Sequence, residues 1–174
     1  LLLTRRVVLS LVLGALLVMV VGFGLWAPTM NTLAIVVTSV ILALALGIPL
    51  GLLAAEVRAV SAVMRPLLDA MQTMPSFVYL IPAMMLFGLG KVPAVLATLV
   101  YVLPPVIRLT ELGVRGVSAE VQEAATAYGA SRWQLLKEVR LPLAMPSIMA
   151  GVNQTTMMAL AMVVIAAMIG ARGV

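Results

Sequence analysis

Apolar residues run in five long stretches along the 174-residue chain, near residues 7–26, 32–55, 71–89, 92–109 and 143–169. Each is close to the ~20 apolar residues that a helix needs to cross a bilayer's hydrocarbon layer. The pattern predicts five membrane-spanning helices. One segment of a different character, residues 118–142, interrupts the series with a polar stretch. There Ser118 stands where it can cap a helix whose first turn carries Glu120, a carboxylate at the positive end of the helix dipole. That helix should run to about Tyr128, where Gly129 offers the left-handed backbone that ends helices. Ser131 and Gln134 have capping-box spacing for a second helix, which Leu141 and Pro142 should stop.

On the first of these short helices Val121, Ala124, Ala125 and Tyr128 fall at i, i+3, i+4 and i+7. They form one narrow apolar stripe with small residues at its centre, and small residues let another surface approach closely. Glu120, Glu123 and Ala127 lie off the stripe, so the helix can offer an apolar ridge to a soluble partner between polar flanks. The bland alternative is an amphipathic loop lying on the surface.

Composition strengthens the membrane reading. Hydrophobic residues make up 64% of the chain, charged residues 10%, and the mean hydropathy is +1.21. That is more apolar surface than a soluble domain of this size buries. Orientation follows from the basic residues, which are retained preferentially on the cytoplasmic side. With the N-terminus inside, Arg5, Arg6, Arg58, Arg65, Arg108, Arg115, Arg132, Lys137 and Arg140 are cytoplasmic, and only Lys91 and Arg172 lie outside. The net charge of +5 is then explained by topology and attraction to anionic membrane lipid, with no nucleic acid required. The first stretch follows Arg5 and Arg6 as a secretory signal would. Its length, and the lack of a small-x-small cleavage site near Trp26, favour a retained helix with an interfacial Trp.

The chain has no Cys and no His, which removes disulfides, thiolate metal sites and the commonest general base. No metal site is expected. Gly88-Leu-Gly-Lys91 lacks both the spacing and the hydroxyl of a phosphate-binding loop, so the sequence carries no ATP site of its own. Catalytic residues are not expected.

Glu123-Ala-Ala, three residues, Gly129, nine residues, Val139, one residue, Leu141-Pro142 resembles the EAA motif of permease subunits of bacterial ATP-binding-cassette importers. Val139 stands where the motif expects Ile. Pro66 to Pro75, Leu80-Ile-Pro82, Leu103 to Leu109 and Pro146 to Gln154 resemble the glycine betaine/proline branch, and the likeness covers about residues 32 to 170. The resemblance implies an all-α polytopic helical bundle of the type I, MetI-like fold. It divides the chain into an N-terminal helix and outer loop, 1–31, and a permease domain, 32–174, containing the coupling segment 118–142. It also implies a bacterial inner-membrane importer of betaine-like osmoprotectants working by alternating access. The partners implied are an ATPase subunit that carries ATP and Mg, an extracytoplasmic solute-binding protein and a second permease copy. Glu123, Ala124, Ala125, Tyr128, Gly129, Leu141 and Pro142 would couple to the ATPase. The family core normally has one more helix returning to the cytoplasm, so the sequence is expected to be a fragment.

Two other readings come from other classes. An ion-coupled secondary transporter would usually need ionisable residues inside the membrane. Glu56, Asp69, Glu111, Glu120, Glu123 and Glu138 all fall in loops or at span ends. A permease for another small solute, such as an amino acid, shares every feature above, and a helical scaffold without transport shares the composition but not the motif. Within the spans, Pro49, Pro75, Pro82, Pro104 and Pro105 should bend helices, while Gly47 and Gly51 suit close helix packing. Asn153, Gln154, Thr155 and Thr156 form the most polar cluster of any span, which suits either a solute path or interhelical hydrogen bonding. Asn153, Met157, Leu160 and Val164 share one face, a candidate path lining, although a Met stripe also serves ordinary packing. Phe77, Tyr79, Phe87 and Tyr101 are the rings of the middle spans able to attract a quaternary ammonium. The selective aromatic cage of the resembled family belongs to the separate binding protein.

Overall fold

The computed structural model describes residues 2–168, with side chains from residue 7, and is all-helical among them. The helices are α1 (Leu2–Gly22), α2 (Trp26–Glu56), α3 (Arg58–Thr73), α4 (Phe77–Phe87), α5 (Lys91–Arg115), α6 (Ala119–Ala127) and α7 (Arg132–Gln134). A π-helical segment, Leu135–Arg140, then leads into α8 (Leu141–Met168). Of the basic residues used to argue topology, the side chains of Arg5 and Arg6, and Arg172 altogether, lie outside the described residues.

Helices α2, α5 and α8 form the body. Helices α2 and α5 run parallel: Lys91 Nζ donates to Asn31 Oδ1 at one end (2.6 Å), and Arg115 donates to the Ala54 carbonyl at the other (2.7 Å). The contact is close because glycine provides it. A Cβ on Gly47 would sit 2.3 Å from Val106 Cγ1, and one on Gly51 would sit 2.6 Å from Thr110 Cβ. Helix α8 returns antiparallel, with a Cβ on Gly113 only 2.7 Å from Ser147 Cβ. Thr155 is buried where α8 meets α5, so at least this member of the polar cluster serves packing. The core around Ile35, Val36, Leu80, Val102, Met162 and Val163 seals the end near Lys91. Val114, Ala144 and Ile148 seal the other.

By length and apolarity α2, α5 and the helix running from Arg132 to Met168 can each cross a membrane. The expected span at 71–89 is not one rod. It is broken at Met74, Pro75 and Ser76, and α3 and α4 meet at 89°. At about 1.5 Å per residue α4 is ~16 Å long, too short to cross a ~30 Å layer unaided. The break forms because Pro75 cannot donate its backbone N–H and biases Met74 to extended geometry. The Tyr79 hydroxyl closes over it, donating to the Met71 carbonyl at 2.6 Å. The other prolines of the expected bends, at 49, 82, 104 and 105, stand inside continuous helices. The expected outer loop before residue 32 is also shorter than anticipated, since α2 already begins at Trp26.

Helix α3 divides its circumference three ways. Ser61, Met64, Leu68 and Met71 turn inward. Arg58, Arg65 and Asp69 lie along one flank, and Val63 and Leu67 are exposed on the other. An apolar flank beside a charged one suits a helix at a membrane–water boundary.

Candidate functional site

The segment 118–142 sits at the end of the bundle where α2 and α5 finish. Helix α6 stands out from the body and buries none of its residues. Ser118 occupies the N-cap position but its side chain makes no capping bond. Gln122 secures that end instead, donating from Nε2 to the Val117 carbonyl at 2.8 Å. The C-terminus of α6 closes as anticipated. Gly129 has φ +87°; its N–H bonds the Thr126 carbonyl (2.9 Å) and the Ala130 N–H bonds that of Ala125 (3.1 Å). This is the Schellman pairing, which satisfies carbonyls that a helix end leaves open. The capping box is also present: Ser131 N–H donates to Gln134 Oε1 (2.9 Å), and Gln134 N–H to Ser131 Oγ (3.3 Å).

The second helix does not stop at Leu141-Pro142. It passes through the π-helical turn 135–140 straight into α8. Pro142 has no N–H to give the carbonyl four residues back and its ring crowds that carbonyl, and the wider π turn shifts the bonding register just before it. The coupling arm and the returning span are therefore one continuous helix. Arg140 pairs with Glu56 at the end of α2, tying the base of this arm to the bundle.

The ridge on α6 is open. Tyr128 is 95% exposed, Val121 is exposed, and Ala124 and Glu123 face outward. Ala125 is half-buried and shares a concavity of about 320 Å³ with Tyr128, Gly129, Gln134 and Val139. Trp133, on the second arm, is 68% exposed. Apart from Leu141, which is half-buried, and Pro142, the coupling residues predicted from sequence thus gather on one projecting helix–turn–helix.

The candidate path residues do not gather. Tyr79 and Tyr101 meet, with ring centroids 6.3 Å apart and planes tilted by 54°, partly buried against the core. Phe77, Asn153 and Met157 are exposed, and Leu160 and Val164 share the open face of α8 with the last two. No group of three potential metal ligands occurs among the described residues.

One acid departs from the sequence expectation. Glu111 is not a solvated span-end residue but is buried within α5. Its Oε1 accepts from the Ser61 hydroxyl (2.6 Å) and meets Arg65 (3.3 Å) and Arg115 (3.4 Å). The i, i+4 spacing of Glu111 and Arg115 was a usable signal. Arg65 and Ser61 come from α3, which only the fold brings near.

The model of the family described as "Binding-protein-dependent transport system inner membrane component" matches residues 47–174. The chain belongs to that family. It is therefore a multi-pass inner-membrane component. The chain is 52% identical over 157 residues to the glycine betaine/proline betaine transport system permease protein ProW of Escherichia coli K12, covering 90% of this chain and 44% of the relative. It is 49% identical to the glycine betaine/carnitine transport permease protein GbuB of Listeria monocytogenes, covering 93% and 57%. It is 47% identical to the glycine betaine transport system permease protein OpuAB of Bacillus subtilis, covering 98% and 60%. The chain thus spans about half the length of the curated relatives it matches. In fold it is similar to the inward-facing MetNI methionine ABC transporter, with a TM-score of 0.68 at 23% identity over 83% of this chain and 73% of that one.

Proposed function

We propose that this chain is the membrane-spanning permease part of an ATP-driven importer of betaine-like osmoprotectants. The observation that carries the mechanism is the exposed ridge of α6, joined by the tight turn at Gly129 to a second arm, α7, that runs unbroken through the π turn into a spanning helix. A push on such a ridge reaches α8 through the hydrogen-bonded turn at Gly129 and the continuous arm beyond it. An ATPase subunit carrying ATP and Mg docks there through Val121, Ala124, Tyr128 and the turn at Gly129, and its closure tilts α8 to switch the path outward. Hydrolysis resets it. The end bearing α6 is cytoplasmic, as is the N-terminus, supported by the nine basic residues assigned to that side against two on the other.

Two copies of the chain enclose the path, and an extracytoplasmic solute-binding protein delivers the cargo. The cargo class is supported by the relatives' names, which specify glycine betaine, proline betaine and carnitine. Glu111 does not revive the proton-coupled alternative, because two guanidiniums and a hydroxyl already hold its carboxylate.

Reconstitution of the full-length protein with its ATPase and receptor tests the reading, by scoring which solute stimulates hydrolysis. Stimulation by glycine betaine is expected, whereas stimulation by an unrelated amino acid alone would contradict the cargo. Gly129→Asp adds a charge and a Cβ at a left-handed position within the docking turn. It should abolish uptake while the protein still inserts, and normal uptake by that variant would contradict the docking role.

A further inference from the structure

The end of the bundle that carries α6 also holds a second chemical feature. Arg65, Asp69, Arg108, Glu111, Leu112 and Arg115 line a cavity of about 320 Å³ between α3 and α5. It opens on the charged flank of α3, on the far side from the exposed Val63 and Leu67. Its size lies at the lower end of small-molecule sites, ~300–1,000 Å³.

The lining is mixed in sign, and that decides what fits. Three guanidiniums face two carboxylates. Glu111 is committed to Ser61, Arg65 and Arg115, but Arg108 and Asp69 pair only at the open side, and Asp69 is 66% exposed. A lone anion placed on Arg108 would strip Asp69 of its partner, and a lone cation on Asp69 would strip Arg108. A small zwitterion leaves neither unpaired. Its carboxylate takes the fork of Arg108, which suits that geometry, and its cationic group takes the place of the guanidinium beside Asp69. A quaternary ammonium donates no hydrogen bond and needs only negative potential and apolar contact, which Asp69 and the exposed side chain of Leu112 supply.

We propose that this cavity is a transient site for a zwitterionic solute at the end of the bundle that carries α6, entered by exchange with the Arg108–Asp69 pair. The proposal rests on the betaine-like cargo argued above. It adds a site that shares no residue with the aromatic and Asn153 candidates read from the sequence.

The test uses the permease–ATPase complex in nanodiscs without the receptor, titrated with glycine betaine, acetate and tetramethylammonium and followed by saturation-transfer NMR. Glycine betaine should bind at least tenfold more tightly than either singly charged probe. Arg108→Gln and Asp69→Asn should each weaken it tenfold or more. Equal affinity for all three probes, no binding of glycine betaine, or unchanged binding in both variants would overturn the site. The comparison of probes on the unmodified complex stands even if a variant folds poorly. The same preparation, supplied with receptor, reports betaine-stimulated hydrolysis. Stimulation without binding in this cavity defeats the site alone, and absence of stimulation with receptor defeats the cargo reading.

Discussion

Glu111 sits among four groups from three helices, since the Arg115 that it meets also reaches the Ala54 carbonyl of α2. The buried carboxylate is the shared acceptor, and its loss leaves two guanidiniums without a counter-charge. Arg65 is 62% exposed and water compensates it in part, so Glu111→Ala should destabilise by roughly 2 kcal/mol, within the range for hydrogen bonds to charged groups. Thermal denaturation of the purified protein measures this, and an unchanged midpoint would show that the cluster is ornamental to stability. Tyr79→Phe removes one hydroxyl over the α3–α4 break and should cost about 1 kcal/mol. If solute flux and affinity also stay unchanged after Tyr79→Phe and Asn153→Ala, both residues leave the candidate path. These positions were the least legible in the sequence. The partners of Glu111 lie 50 and 46 residues away on α3, and one-dimensional spacing reports nothing of such a meeting.

Short elements were read better than their junctions. Gly129 and the Ser131 capping box were visible because helix ends are set by local backbone chemistry, and the structure shows both. Leu141-Pro142 misled for an equally local reason: a proline normally ends a helix, but a π turn beforehand absorbs it, and nothing in residues 135–140 announces that register. The 71–89 stretch is largely apolar and carries no charge, so hydropathy could not show that Pro75 turns the chain through 89°. Two expectations belong to this scale. At Gly129, asparagine tolerates left-handed backbone better than a β-branched residue, so uptake should fall in the order Gly129, Gly129→Asn, Gly129→Val. Equal uptake for all three would separate the turn from transport. At Gly51 an added methyl would meet Thr110 Cβ at 2.6 Å and the Ile107 carbonyl at 2.7 Å. Gly51→Ala should force α2 from α5 at a cost of about 1–3 kcal/mol, seen as a lower denaturation midpoint in detergent.

Among the described residues, the end of the bundle near Lys91 is nearly bare of charge and the other end carries almost all of it. Parallel α2 and α5 with α8 returning between their ends put Glu56, Glu111, Arg115, Arg140 and the projecting α6 together. Composition and the distribution of basic residues were enough to foresee this polarity, because it is a property of whole spans and survives errors in any one of them. They were not enough to place the path, which depends on which faces a second copy covers. The central claim is that α6 is the point at which a nucleotide-driven partner grips the chain. Because residues 1–174 hold no Cys, Tyr128→Cys adds a single thiol to them, on the exposed ridge. In the assembled transporter that thiol should react with a membrane-impermeant reagent only from the cytoplasmic side, and should cross-link to the ATPase subunit with a yield that changes when ATP is added. Labelling from the outer side, or no cross-link to the ATPase in any nucleotide state, would contradict the account.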